Sequence, residues 1–180
     1  MKILKSRTFT AKNGRKVTLR PIRWENLDDC IEFINSLVDE GSDIAMETKV
    51  TRNEEAEWLG KRLASMEKGE LVDFVAEVDG RMVANAEVGR RRGNMSHVGD
   101  LGIGIRAECR GIGVGTELMN ALVDESRKMG LKVLVLDVFD TNKIAKGLYK
   151  KIGFKETGRI PKGIFRKGKY IDLIRMTLEL

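Results

Sequence analysis

The chain has 180 residues, of which 42% are hydrophobic and 33% charged, with a net charge of +6. That size and balance suit a single globular domain spanning 1–180 with a core of its own, and they exclude disordered, fibrous and disulfide-stapled classes. No apolar run approaches the roughly 18 residues of a membrane span, and Met1-Lys2-Ile3-Leu4-Lys5-Ser6-Arg7 lacks a hydrophobic signal core, so a cytoplasmic protein away from membranes is expected.

Two mixed apolar runs, about Ile3 to Ala11 and Lys16 to Ile22, flank Lys12-Asn13-Gly14-Arg15, whose Asn-Gly pair predicts a β-hairpin. From Trp24 onward Leu27, Cys30, Ile31, Ile34, Leu37 and Val38 recur at helical spacing until Gly41 stops them. Gly41 to Thr51 is irregular and carries Asp43, Met46, Glu47 and Thr48. A second helix near Asn53 to Glu67 turns Trp58, Leu59, Leu63 and Met66 to one side, which makes Trp58 a core residue. After Gly69 the period becomes two. Leu71 to Val78 and Met82 to Arg90 read as antiparallel strands around an Asp79-Gly80 turn. Arg90-Arg91-Arg92 then leads into a solvated turn at Gly93-Asn94; no aromatic interleaves with it, so an RNA footprint is disfavoured. His97 to Ile105 is a central strand weakened by Gly99, Gly102 and Gly104, and a bulge that turns amides toward a ligand would explain them.

Arg110-Gly111-Ile112-Gly113-Val114-Gly115-Thr116 follows, between that strand and a helical pattern from Glu117 to Met129 with the stripe Leu118, Met119, Leu122 and Val123. Alternating glycines let backbone approach a ligand closely, and free N–H groups at a helix start attract phosphate oxygens. Arg110 adds a positive charge at the mouth. A P-loop would need Gly-Lys-Ser/Thr where Gly115-Thr116-Glu117 stands. A dinucleotide fingerprint would start straight off the strand, whereas Arg106-Ala107-Glu108-Cys109 intervene and the third glycine comes one residue early; only Asp137 imitates its ribose-binding acid. Cys30 and Cys109 are isolated thiols without CxxC spacing or a histidine cluster, a pattern of a reducing compartment with no metal site, and Cys109 reads as a small partly buried hydrophobe. Lys132 to Val138 is a strand buried on both faces. Thr141 caps a short helix that Gly153 closes, and Gly158 to Phe165 pairs with Tyr170 to Leu178 in a last hairpin.

Arg110-x-x-Gly113-x-Gly115 resembles the Q/R-x-x-G-x-G/A loop of the GNAT superfamily of N-acetyltransferases, and Asn142-x-x-Ala145-x-x-Leu148-Tyr149-x-Lys151-x-Gly153-Phe154 looks like the family's second signature. The element order β-β-α-α-β-β-β-α-β-α-β-β is similar as well, from about Lys16 onward. The resemblance implies an α+β fold: a mixed, mostly antiparallel sheet of about seven strands, four flanking helices, and a splay between the strands at 97–105 and 132–138.

It also implies acetyl-CoA as co-substrate, without a metal. Ile103, Gly104, Ile105, Arg110, Gly111, Ile112, Gly113, Val114, Gly115, Thr116, Asn142 and Tyr149 are its implied contacts, with pantetheine passing through the splay. The implied reaction is direct attack of a neutral primary amine on the thioester, with amides near Ile103 and Ile105 polarising the carbonyl. Tyr149 is the implied general acid, since a phenol of pKa about 10 can protonate a thiolate whose own value is about 8.5. No motif names the base; Asp100 and Glu87 are candidates on neighbouring strands, with His97 at the start of the same strand as Asp100. The acceptor is a protein N-terminus, a lysine, a polyamine or an aminoglycoside-like amine, which Asp43 and Glu47 suit as acidic neighbours. A homodimer is open to it. Competing readings are a noncatalytic acetyl-CoA sensor, an RNA-binding module of the same shape and, more distantly, a nicotinamide-dependent dehydrogenase.

Overall fold

The computed structural model describes residues 4–180. Eight strands form one sheet in the order β1-β2-β3-β4-β5-β6-β8-β7. They are β1 (Arg7–Thr10), β2 (Lys16–Pro21), β3 (Leu71–Val78), β4 (Arg81–Arg90), β5 (Val98–Ile105), β6 (Val133–Phe139), β7 (Lys155–Arg166) and β8 (Lys169–Glu179). Four helices cover it: α1 (Leu27–Glu40), α2 (Arg52–Glu67), α3 (Val114–Lys128) and α4 (Lys143–Ile152). Every pairing is antiparallel except β5 with β6. The expected class and splay are present, with eight strands rather than about seven because the short β1 pairs fully with β2. Of the expected opening run, Ile3 lies outside the described residues.

The sheet separates two cores. On one side α3 and α4 bury Leu118, Met119, Leu122 and Tyr149 against Phe74, Ala86, Leu134 and Met176. On the other, α1 and α2 bury Cys30, Phe33, Leu37 and Leu59 against Val75 and Met82. Phe33 completes the α1 stripe one turn from Cys30 and Leu37, where the spacing i, i+3, i+7 puts all three on one face. Thr51 opens α2 with a capping box: Glu54 takes the Thr51 amide at 2.8 Å. The Asp79-Gly80 turn has φ of 51° and 78°, the pair of positive values that a two-residue hairpin of this hand requires. Among the described residues no helix is long and apolar enough to cross a membrane.

Several element ends depart from expectation. The first turn of α3 begins at Val114 rather than Glu117, because Gly113 with φ of 103° serves as its N-cap and the first helical bond runs from the Glu117 amide to the Gly113 carbonyl. Asn142, not Thr141, caps α4, its side-chain oxygen accepting from the Ala145 amide at 2.9 Å. β5 has no bulge: its register with β4 runs unbroken from Ala84↔Ile105 to Arg90↔Gly99. Its glycines instead make room for neighbours. A Cβ on Gly104 would stand 3.1 Å from Leu37 and 3.3 Å from Phe33, so α1 lies almost on the strand there. Register shifts occur elsewhere, at Ala76/Glu77 in β3 and at Glu156/Gly158 and Ile160/Ile164 in β7.

Candidate active site

The parting of β5 from β6 organises the site. The two strands pair only over Val98↔Val133, Gly99↔Leu134 and Asp100↔Val135, after which β6 continues with β8 alone. Along β5 the alternation is fixed at both ends: the Arg106 amide bonds the Val83 carbonyl at 2.9 Å, and the Arg91 amide bonds the Val98 carbonyl at 2.9 Å. Even-numbered residues therefore face β4, and the main-chain groups of Ile103 and Ile105 face the open seam. A continuous strand leaving its neighbour thus exposes the amides that a bulge was expected to supply.

At the end of that seam lies the glycine loop. Gly111 and Gly113 adopt φ of 74° and 103°, backbone that L side chains avoid, and a Cβ on either would meet nothing within 4 Å. Both therefore line open space. Among the described residues the amides from Gly111 to Thr116 donate to no protein acceptor, while the Ile112 carbonyl is held by the Lys12 amide at 3.0 Å. A row of unspent N–H groups at the positive end of a 15-residue helix is a built anion cradle. Gly115 has a different duty. Its Cβ would fall 2.9 Å from Ile105 Cδ1 and 3.0 Å from Leu148 Cδ2, so this glycine lets α3, α4 and β5 converge. Arg110 is less free than the sequence suggested: it ion-pairs with Glu40, donates to Ser42 Oγ at 3.0 Å and to the Ile105 carbonyl at 2.9 Å, and so joins the loop to the end of α1.

Tyr149 is buried, its ring 6.1 Å from that of Phe154, in the cluster that also contains Leu136 and Val138, with Ile103, Ile105 and Ala145 packed against it. Burial pushes its hydroxyl up to about 12. It stays a protonated donor well above neutral pH. Asn142 spends its oxygen on the α4 cap, leaving its amide nitrogen for other partners.

The three base candidates fare differently. His97 precedes β5 at the paired end, about 20 Å along the strand from Ile103. Asp100 closes the last β5–β6 pair, and Arg91 engages both its oxygens, at 2.8 and 2.5 Å. Glu87 sits directly opposite Gly102 in the β4–β5 register, one residue from Ile103, and its Oε1 lies 3.1 Å from the position a Gly102 Cβ would take. Its other oxygen, Oε2, meets Arg62 Nη2 at 2.5 Å. Arg62 also contacts Asp73 at 2.5 Å and stacks over Trp58 at 4.5 Å. This buried unit was not foreseen. Its signal was a lone carboxylate, Asp73, inside the otherwise apolar Leu71-Val72-Asp73-Phe74-Val75. Burial drives the Asp73 carboxyl up, to about 6, against the opposing pull of Arg62.

A second feature lies at the end of β6, where Phe139 is one of its walls. A cavity of about 440 Å³ is lined by Ile44, Ala45, Glu47 and Thr48 of the 41–51 segment and by Phe139, Gly163, Ile164, Phe165 and Arg166. Arg166 ties its two walls together, pairing with Asp43 at 2.7 Å and bonding the Gly41 carbonyl. Glu47 thus lines the cavity, whereas Asp43 is spent on Arg166. Among the described residues no three His, Cys, Asp or Glu side chains gather as a metal site.

A splayed sheet, an amide cradle at the N-terminus of a helix and a buried tyrosine on the next helix together define an acyltransferase that uses a phosphate-bearing acyl donor. The comparisons agree. The model of the acetyltransferase (GNAT) family matches residues 34–154, and the chain belongs to that family. It is an acyltransferase. The chain is 27% identical over 171 residues to an L-methionine sulfoximine/L-methionine sulfone acetyltransferase of Pseudomonas paraeruginosa, covering 91% of this chain and 94% of the relative. Among solved structures it resembles a ribosomal-protein-alanine N-acetyltransferase of Brucella melitensis, with a TM-score of 0.80 and 26% identity over 90% of this chain and 99% of that one. A GNAT-family acetyltransferase of Streptococcus pneumoniae shares the fold, with a TM-score of 0.82 and 24% identity over 91% of this chain and 99% of that one.

Proposed function

We propose that the chain transfers an acetyl group from acetyl-CoA to the primary amine of a small acceptor of amino-acid type. The observation that carries this reading is the open seam beyond Asp100↔Val135, which ends on the unspent amides of Gly111 to Thr116. Those amides would hold the diphosphate, and the edge of β5 at Ile103 and Ile105 would hold the pantetheine amide, with Gly104, Asn142 and Tyr149 beside it. Acetyl-CoA, when bound, supplies a thioester carbonyl and a thiol leaving group.

The rest is the work of the chain. An amide on the seam edge donates to the carbonyl oxygen as charge gathers there, a role worth about 3 kcal/mol where it has been removed in other enzymes. Tyr149 delivers a proton to the departing sulfur as the C–S bond breaks. Glu87 accepts a proton from the incoming α-ammonium, which is largely charged at neutral pH. The choice of a small acceptor rests on the 440 Å³ cavity, a size that suits a small molecule, with Glu47 in its lining. A carboxylate there suits the ammonium of an amino acid, whereas Arg166 is already paired with Asp43. The Pseudomonas relative is named for amino-acid derivatives of this kind.

The test is an acceptor panel of methionine sulfoximine, free amino acids, N-terminal alanine peptides, polyamines and aminoglycosides. Product is read by mass spectrometry against free thiol. Amino-acid-type acceptors are expected to give the highest kcat/KM. Turnover confined to peptides or polyamines would overturn the acceptor assignment, and acetyl-CoA binding with no product from any amine would mark a sensor.

A further inference from the structure

We propose that Arg62 is a positioning residue for this reaction, holding Glu87 so that one carboxylate oxygen is occupied and the other faces the acceptor. The proposal rests on the reading of Glu87 as the base. Arg62 is itself held by two neighbours. Its guanidinium stacks on Trp58 at 4.5 Å, its Nε meets the fully buried Asp73 at 2.5 Å, and Asp73 is fixed in turn by Asn85 Nδ2 at 2.5 Å. Nη2 then lies 2.5 Å from Glu87 Oε2, an ion pair without aligned hydrogen-bond geometry. The guanidinium reaches two carboxylates at once through different nitrogens, which a single lysine ammonium does not. With Oε2 held, Glu87 Oε1 is directed over Gly102, where the missing side chain lets it reach the backbone beside Ile103.

The charges favour the same use. Glu87 faces Arg62 from α2 and Asp73 from β3; Glu55 is buried on α2 near Arg62; β5 presents Gly102; and α1 presents Phe33 and Leu37 over Gly104. Carboxyl groups outnumber the one guanidinium in this cluster, which favours a cationic amine beside it. The step is a proton transfer alone. The N–H bond of the ammonium breaks, its electron pair stays on nitrogen, and an O–H bond forms on Glu87 Oε1.

Two variants separate positioning from mere packing. Arg62→Lys keeps a cation beside Asp73, so the fold is retained. Its kcat is expected to fall tenfold or more, while calorimetric acetyl-CoA affinity stays within about twofold. Arg62→Met removes the cation altogether, and its kcat is expected to fall at least as far, with the KM for the acceptor changed by less than about threefold. A fully active Arg62→Lys protein, or an Arg62→Met loss that falls on KM and leaves kcat unchanged, would overturn the proposal. Should Arg62→Met fail to fold, Arg62→Lys decides alone. Glu87→Gln with undiminished kcat would instead remove the underlying assignment of the base.

Discussion

Tyr149 shows how one residue acquires a role from its surroundings. Buried against Phe154, with burial raising its hydroxyl to about 12, it rests protonated at working pH, as the proposed proton donor must. Tyr149→Phe keeps the ring and its packing, so kcat should fall about 10²–10⁴-fold while the acetyl-CoA dissociation constant barely changes. An unchanged kcat with the true acceptor would remove Tyr149 from the mechanism. The linkage has a definite sign. A phenol with a folded-state pKa above its unfolded value of about 10 stabilises the fold below pH 10, and that contribution is lost as pH rises through about 12. Tyrosinate absorbance of the parent minus the Phe variant should therefore show a late transition. The positions of Tyr149 and Asn142 in the helical segment after the glycine loop's helix and the next strand were legible because each stands inside a motif. The engagement of Arg110 by Glu40 and Ser42 was not, since partners 68 and 70 residues upstream leave no local pattern.

Among the elements, the junction of β5 with α3 carries the most consequence. Its glycines look equivalent in sequence and are not. Gly113, at φ of 103° beside open space, is free for the proposed cradle; Gly115, hemmed in by Ile105 and Leu148, serves packing. Gly113→Val should remain folded at a cost of about 1–2 kcal/mol and weaken acetyl-CoA at least tenfold in calorimetry. Gly115→Ala overpacks the junction by about 1–3 kcal/mol, or roughly 2–12 °C in melting temperature. A folded Gly113→Val protein that binds like the parent would count against the cradle. The expected bulge in β5 was an inference from strand glycines, but α1 pressing on Gly104 and Glu87 lying over Gly102 explain two of them without any break in register. Helix starts proved legible where a cap speaks, as at Thr51-Arg52-Asn53-Glu54, and shifted where a positive-φ glycine does the capping instead.

Across the whole molecule, one sheet holds two chemistries on its two faces. The α3–α4 side carries the glycine loop and Tyr149, the proposed cradle and proton donor; the α1–α2 side carries Arg62 and Asp73 beside Glu87, the proposed base. The β5–β6 seam is where they meet. Alternation and turn signals revealed the strands, but the strand order, which inserts β8 between β6 and β7, depends on long-range pairing that local pattern does not encode. The same holds for the cavity, whose walls come from segments more than 90 residues apart and are joined by Arg166. The most direct measurement is calorimetric titration of the protein with acetyl-CoA and, separately, with NADH. One acetyl-CoA bound per chain, with no heat from NADH, is the predicted result; NADH binding without acetyl-CoA binding would contradict the seam and its amide cradle as an acetyl-CoA site.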